Sequence, residues 1–205
     1  LFGGDDLMAT TKKLNIKQLL KKKLSNSKVL RNLAYGAAKK KTEGLRTTAL
    51  KQLDQHPVTQ ELEKGTSGMN SSLLGGRGNF FGFLGFHEGQ QPVEIIRDAF
   101  KDHIKIRSQK PKLKKVSATS FTWEFDIDIP SKTEIYGVTP MAWSSRSWVK
   151  GVERGVTNYT KTIFTESSES RSGIALQSKQ NVNFITYSPT PYITSILDNL
   201  KKQLR

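Results

Sequence analysis

The chain has 205 residues, with 33 Lys and Arg against 18 Asp and Glu, a formal net charge of +15 and no cysteine. Without thiols there are no disulfide staples, thiolate zinc sites or cysteine nucleophiles. A hydrophobic fraction of 35%, below the ordinary range of roughly 45–50%, argues against a large apolar interior and leaves much of the chain for surface, loop or interface.

This length suits one main domain with arms. The charge asks for an anionic counterpart, either nucleic acid or acidic neighbouring subunits. No run reaches the roughly 18–20 apolar residues that span a bilayer, and the N-terminus has no secretory h-region, so a soluble, cytoplasmically made protein is expected. The segment "LFGGDDL" precedes the first methionine, Met8, and is expected to be translated leader.

From Lys12 to about Leu53, leucines and alanines recur at helical intervals (Leu14, Leu19, Leu20, Leu24, then Leu30, Leu33, Ala37, Leu45, Ala49, Leu53). The pattern predicts a helical arm interrupted near Ser25-Asn26-Ser27, then a longer helix with Ser27 as N-cap and a stop at His56-Pro57. The arm carries Lys12, Lys13, Lys17, Lys21, Lys22, Lys23, Lys28, Arg31, Lys39, Lys40 and Lys41. Such a run is either a solvated face or a contact for phosphate or an acidic subunit.

Residues 57–78 lose periodicity and gain Gly, Ser and Asn, which predicts a loop or extended segment. Within Leu74–Phe86, "LGGRGNFFGFLGF", five glycines and four phenylalanines fall in thirteen residues. Gly76, Gly78 and Gly82 form G-x-G-x-x-x-G, one residue too long for the dinucleotide fingerprint and without a clear preceding strand. Phosphate loops also need small, polar surroundings, whereas each buried phenylalanine is worth about 1.5–3 kcal/mol. Alternation puts Phe81 and Phe83 on one face of a strand or hairpin and Phe80 on the other. Either the chain's own core or another subunit covers them.

"QQPVEIIRDAFKDHIKI" regains a helical stripe through Val93, Ile96, Phe100 and Ile104, with Pro92 in the first turn, and is expected to pack on a sheet. "FTWEFDIDI" at Phe121–Ile129 alternates apolar and polar residues, predicting one strand. "SSRSWVKGVERGVTNYTKTIF" has helical spacing at Trp148, Val152, Val156 and Tyr159, unravelling near Thr157-Asn158. "SGIALQS" and "NFITYS" read as an antiparallel hairpin. "TPYITSILDNLKKQLR" predicts a terminal amphipathic helix with Thr190 as N-cap and Pro191 in its first turn.

Catalytic chemistry finds little purchase. His56, His87 and His103 are isolated, with no H-E-x-x-H, and "SSRS" at Ser144–Ser147 and "SRSG" at Ser170–Gly173 lack a paired base. Glu124, Asp126 and Asp128 share one strand face and can either hold a hard cation or face solvent or a partner. No catalytic, cofactor-binding or metal-ligating residue is assigned, and the expectation is a protein that is not an enzyme and needs no cofactor.

The segments "HPVTQEL" at His56–Leu62, "GGRGNFFGFLGF" at Gly75–Phe86, "TPMAWSSRSWVKGVERGV" at Thr139–Val156 and "SRSGIALQ" at Ser170–Gln177 resemble a group of virion proteins of tailed bacteriophages. The likeness extends over most of residues 28–204, and the chain looks like a neck or tail-completion protein at the head-to-tail joint. It departs in the long lysine arm, which a minimal connector domain lacks.

The resemblance implies an α+β fold, an antiparallel sheet packed by helices, with a basic helical N-terminal arm and a C-terminal amphipathic helix. Leader and arm would occupy residues 1–27, and a connector-like domain residues 28–205 with an extended glycine-rich loop at about 63–90. It further implies a ring of copies of itself in the virion, touching portal, neck or tail components, with DNA in the lumen and no membrane. Subunit contacts would fall on Phe80, Phe81, Phe83, Phe86, Trp143, Arg146 and Trp148. DNA or an acidic partner would meet Lys12, Lys13, Lys17, Lys21, Lys22, Lys23, Lys39, Lys40 and Lys41. The rival reading is a basic protein that binds nucleic acid without sequence preference.

Overall fold

A computed structural model describes residues 16–108, 111–116, 121–142, 144–155, 161–182 and 187–204. The chain divides into two compact units, the smaller from Leu1–Ala38 and Arg107–Asp126 and the larger from Lys39–Ile106 and Ile127–Arg205. The class is α+β, and among the described residues strand pairing is antiparallel and confined to two-stranded ladders.

In the smaller unit, α1 (Ile16–Asn26) is followed after Ser27 by α2 (Lys28–Gln55), whose first part belongs here and whose remainder belongs to the larger unit. Ser27 Oγ accepts the Leu30 N–H at 3.4 Å, so the predicted break and cap are both present. The strands β2 (Lys112–Val116) and β3 (Phe121–Glu124) pair antiparallel, with Leu113 opposite Trp123. Tyr35 meets Phe125 at 6.4 Å between ring centroids.

The larger unit holds the core. Leu45, Ala49 and Leu53 recur every four residues along α2 and are buried. The chain turns at His56, whose Nδ1 accepts the Val58 N–H at 3.2 Å, and Pro57 opens α3 (Pro57–Glu63). Proline's fixed φ and absent N–H make it the residue that both ends one helix and starts the next. The α5 helix (Glu94–His103) starts two residues after Pro92 and buries Ile96 and Phe100 in a core of helices and aromatic rings, not against a broad sheet as the sequence suggested.

The predicted strand Phe121–Ile129 is divided. Its first half is β3, whereas β4 (Ile127–Asp128) pairs in the larger unit with β1 (Lys105–Ile106). The α6 helix (Lys132–Gly137) opens with a capping box, Ser131 with Glu134. Then β5 (Pro140–Met141) pairs with β6 (Ser144–Ser147), which runs into α7 (Trp148–Arg154). That helix is shorter than its spacing predicted because Gly155 adopts φ 98° and leaves the helical path. β8 (Leu176–Gln177) joins β7 (Thr162–Ile163); the second strand of the expected hairpin, "NFITYS", falls largely on residues 183–186, outside the described residues.

The terminal helix α8 (Ile193–Leu204) buries Ile193, Ile196, Leu197 and Leu200. Thr190 does not cap it. Instead the Glu153 carboxylate on α7 accepts the N–H groups of Tyr192 at 3.1 Å and Thr194 at 2.6 Å, and also the hydroxyls of Tyr136 and Thr194. A carboxylate at the positive end of the helix supplies what a local threonine would have supplied, with charge in addition.

Candidate functional site

The stretch Leu74–Phe86 is neither an open loop nor a strand. Single 3-10 turns at Gly65–Ser67 and Ser72–Leu74 lead to a four-residue helix, α4 (Phe80–Phe83). Asn79 Oδ1 accepts the Gly82 N–H at 2.6 Å, while its Nδ2 donates to Gly65 O at 2.8 Å and ties the turn to the preceding segment. Gly78 has φ 65°, and a Cβ there would collide with the Phe164 ring. Gly82 lies close under Ser172, Ile174 and Ala175.

A helical turn, unlike a strand, sends its side chains around the axis, and here both sides are covered. Phe80 stacks on Tyr187 at 5.9 Å between centroids. Phe81 meets Phe86 at 5.3 Å, and Phe86 meets Trp148 edge-on at 5.7 Å. Phe80, Phe81, Phe83, Phe86 and Trp148 are all buried in this chain's own core. The prediction that these five face another subunit is therefore corrected: their apolar area is consumed within the larger unit. Arg146 is exposed, and Trp143 lies outside the described residues.

Beside this core is a half-open recess of about 550 Å³. Behind it lie the buried Leu62, Phe81 and Val93, and its rim carries Glu63, Glu88 and Glu94 together with Lys64 and Arg97. Arg97 anchors the rim, donating from Nε and Nη2 to Asp54 Oδ1 at 2.9 and 2.7 Å, from Nη1 to Glu94, and from Nη2 to Glu63. Burial works against the guanidinium charge, but its hydrogen bonds to Glu63, Asp54 and Glu94 outweigh it and raise the Arg97 pKa further. Three carboxylates against one guanidinium leave this cluster net negative. The Glu94–Arg97 pair is visible in sequence as an i, i+3 spacing. Asp54 and Glu63 come from other helices, and only folding brings them in.

The smaller unit has the opposite character. Thirteen Lys and Arg fall in its two segments against four acidic residues, so it carries nine of the fifteen net positive charges in little more than a quarter of the chain. Among its described residues no hydrophobic side chain is buried, while Leu19, Leu20, Val29 and Leu33 are 45%, 46%, 69% and 67% exposed. Lys22, Lys23, Lys39, Lys40 and Lys41 are exposed, the last three on the part of α2 in the larger unit. Lys17 and Lys21 sit in α1, and Lys12 and Lys13 lie outside the described residues. Sequence reading overlooked the hairpin lysines. Lys114 bonds Glu124 at 2.8 Å and Lys112 lies 4.0 Å from Asp126, so two acids offered as a cation site neutralise neighbouring lysines.

Three of the side chains weighed for chemistry, Ser147, Ser170 and His56, have structural employment. Ser147 Oγ accepts the Lys150 N–H at 3.1 Å as the α7 cap, and Ser170 Oγ bonds both Ala175 O at 2.6 Å and Ala175 N at 3.2 Å. His56 caps α3. Among the described residues no three His, Asp or Glu side chains are grouped to hold a metal ion, and no helix is long and apolar enough to cross a membrane. Comparison with protein-family models, curated proteins and solved structures finds no match for this chain.

Proposed function

We propose that the protein is a structural component of a tailed-phage virion, a neck or tail-completion subunit at the head-to-tail joint that works by assembling into a ring. One observation carries the reading beyond the resemblance of its segments. A self-sufficient body with a closed aromatic core is joined to a basic unit that leaves four large aliphatic side chains exposed and buries none among its described residues. Exposed apolar side chains on a basic unit suit cover by another molecule.

Mass spectrometry of purified phage particles, with an image of the joint, tests it. The chain should be present at the copy number of one ring. Absence from particles together with a monomer at all concentrations would overturn the proposal.

The rival reading, non-specific nucleic-acid binding, is favoured by the nine net charges of the smaller unit. Duplex affinity measured between about 50 and 200 mM salt distinguishes it, because phosphate contacts release counterions and lose affinity steeply with salt. A flat response removes that reading.

A further inference from the structure

We propose that the uncharged cleft between the start of α5 and strand β5 seats the exposed face of α2 from a second copy, so that copies join through unlike surfaces. The inference rests on the ring-assembly reading and names the contact that would build the ring.

The cleft, about 330 Å³, lies wholly within the larger unit and has no charged side chain in its lining. Its apolar surface is open: Ile95 and Val138 are 43% and 42% exposed, Pro140 and Ala142 are exposed, and Pro92 and Met141 are half-buried. Apolar area gathered in one concave, uncovered place marks a docking surface. Helix α2 carries a matching stripe. Val29, Leu33, Gly36 and Ala37 follow at helical spacing on the side away from Leu45, Ala49 and Leu53, and all four are exposed. Val29 and Leu33, at 69% and 67%, are the most exposed large hydrophobic side chains among the described residues. A Cβ at Gly36 would meet nothing, so the helix backbone is open to close approach there. An apolar helix face laid in an apolar groove is a recurring mode of recognition.

Charge fixes the register and the occupant. Lys40 continues the α2 stripe seven residues after Leu33, and Asp102 lies seven residues after Ile95 on the exposed side of α5. Seven residues span about 10 Å of helix, so with Leu33 against Ile95 and the two helices parallel, Lys40 meets Asp102. Helix α1 does not suit the cleft: Lys23 stands one turn from both Leu19 and Leu20 and would bring an ammonium group over an uncharged lining. Two clefts face to face would set the exposed Asp98 and Asp102 against their own copies, and a phosphate backbone would meet the same acids. An unlike contact propagates from one copy to the next and closes into a ring when the rotation permits.

The chain has no native thiol, so introduced cysteines report the contact directly. Full-length Leu33→Cys mixed with full-length Ile95→Cys and a short bismaleimide should give a dimer on a denaturing gel that neither variant gives alone. No dimer from the mixture, or as much from one variant by itself, would overturn the inference. Sedimentation velocity supplies a second reading on substitutions at exposed positions. Val138→Asp should weaken association about tenfold or more. Lys40→Asp and Asp102→Lys should each weaken it, and the two together should restore most of it. Association that is equally strong in every variant removes this contact while leaving ring assembly standing. A wild-type chain that never associates removes both.

Discussion

The imidazole of His56 holds two backbone partners at once. Its Nδ1 accepts the Val58 N–H at 3.2 Å and its Nε2 lies 3.1 Å from Pro191 O, the arrangement of a neutral ring with its proton on Nε2. Burial lowers the pKa, outweighing the opposing pull of the Pro191 carbonyl and Glu153. A base whose folded pKa is depressed binds fewer protons folded than unfolded, so stability rises with pH across that window. It is complete above the unfolded value of about 6.5 and is lost as pH falls from there toward the folded pKa. Thermal melts from pH 8 to 5 should show a decline that His56→Asn, a non-titrating cap, flattens. Parallel curves would refute the assignment. Phe81 makes the second residue-scale prediction: as a core side chain, Phe81→Ala should cost about 3–5 kcal/mol in urea unfolding. A cost near zero would return it to an interface.

At the scale of elements, the short helix α4 depends on its cap more than on its residues. Four residues containing a glycine have no helical tendency of their own. Asn79 is buried and joins α4 to the carbonyls of Gly65 and Thr66. Asn79→Ala should therefore cost about 1–2 kcal/mol through the lost cap, and more through the unpaired buried amide of Gly82, with Asn79→Asp retaining part of the stability. Unchanged unfolding for the alanine variant would contradict the cap's role. The long helices were legible because their stripes repeat: Leu45, Ala49 and Leu53 on α2, and Ile193, Ile196, Leu197 and Leu200 on α8. In α4 the same phenylalanines satisfy a strand alternation and a single helical turn equally well. Only the cap and the covering rings choose between them. The strand Phe121–Ile129 was read correctly as extended, but which partner each half takes depends on residues far away in sequence.

At the scale of the molecule, charge and apolar burial are distributed unequally between the units. The larger unit has its own core, so removing residues 1–38 should leave its thermal midpoint nearly unchanged while abolishing association and flattening any salt-dependent DNA affinity. Circular dichroism and sedimentation on the truncated chain test both halves. A collapse of the midpoint would mean that the arm belongs to the core after all.

The amino-acid sequence by itself determined the basic charge, the absence of thiol chemistry, the α+β class and the long amphipathic helices, because these depend on composition and on repeats within a few turns. Only the tertiary structure decided that the phenylalanines of Phe80–Phe86 are spent inside this chain, that Glu153 caps α8, and that Asp54 and Glu63 converge on Arg97. Each is a meeting of residues separated by tens of positions or by a whole helix. Apolar area demands cover and a charge demands a partner, but neither demand states where along the chain its answer lies.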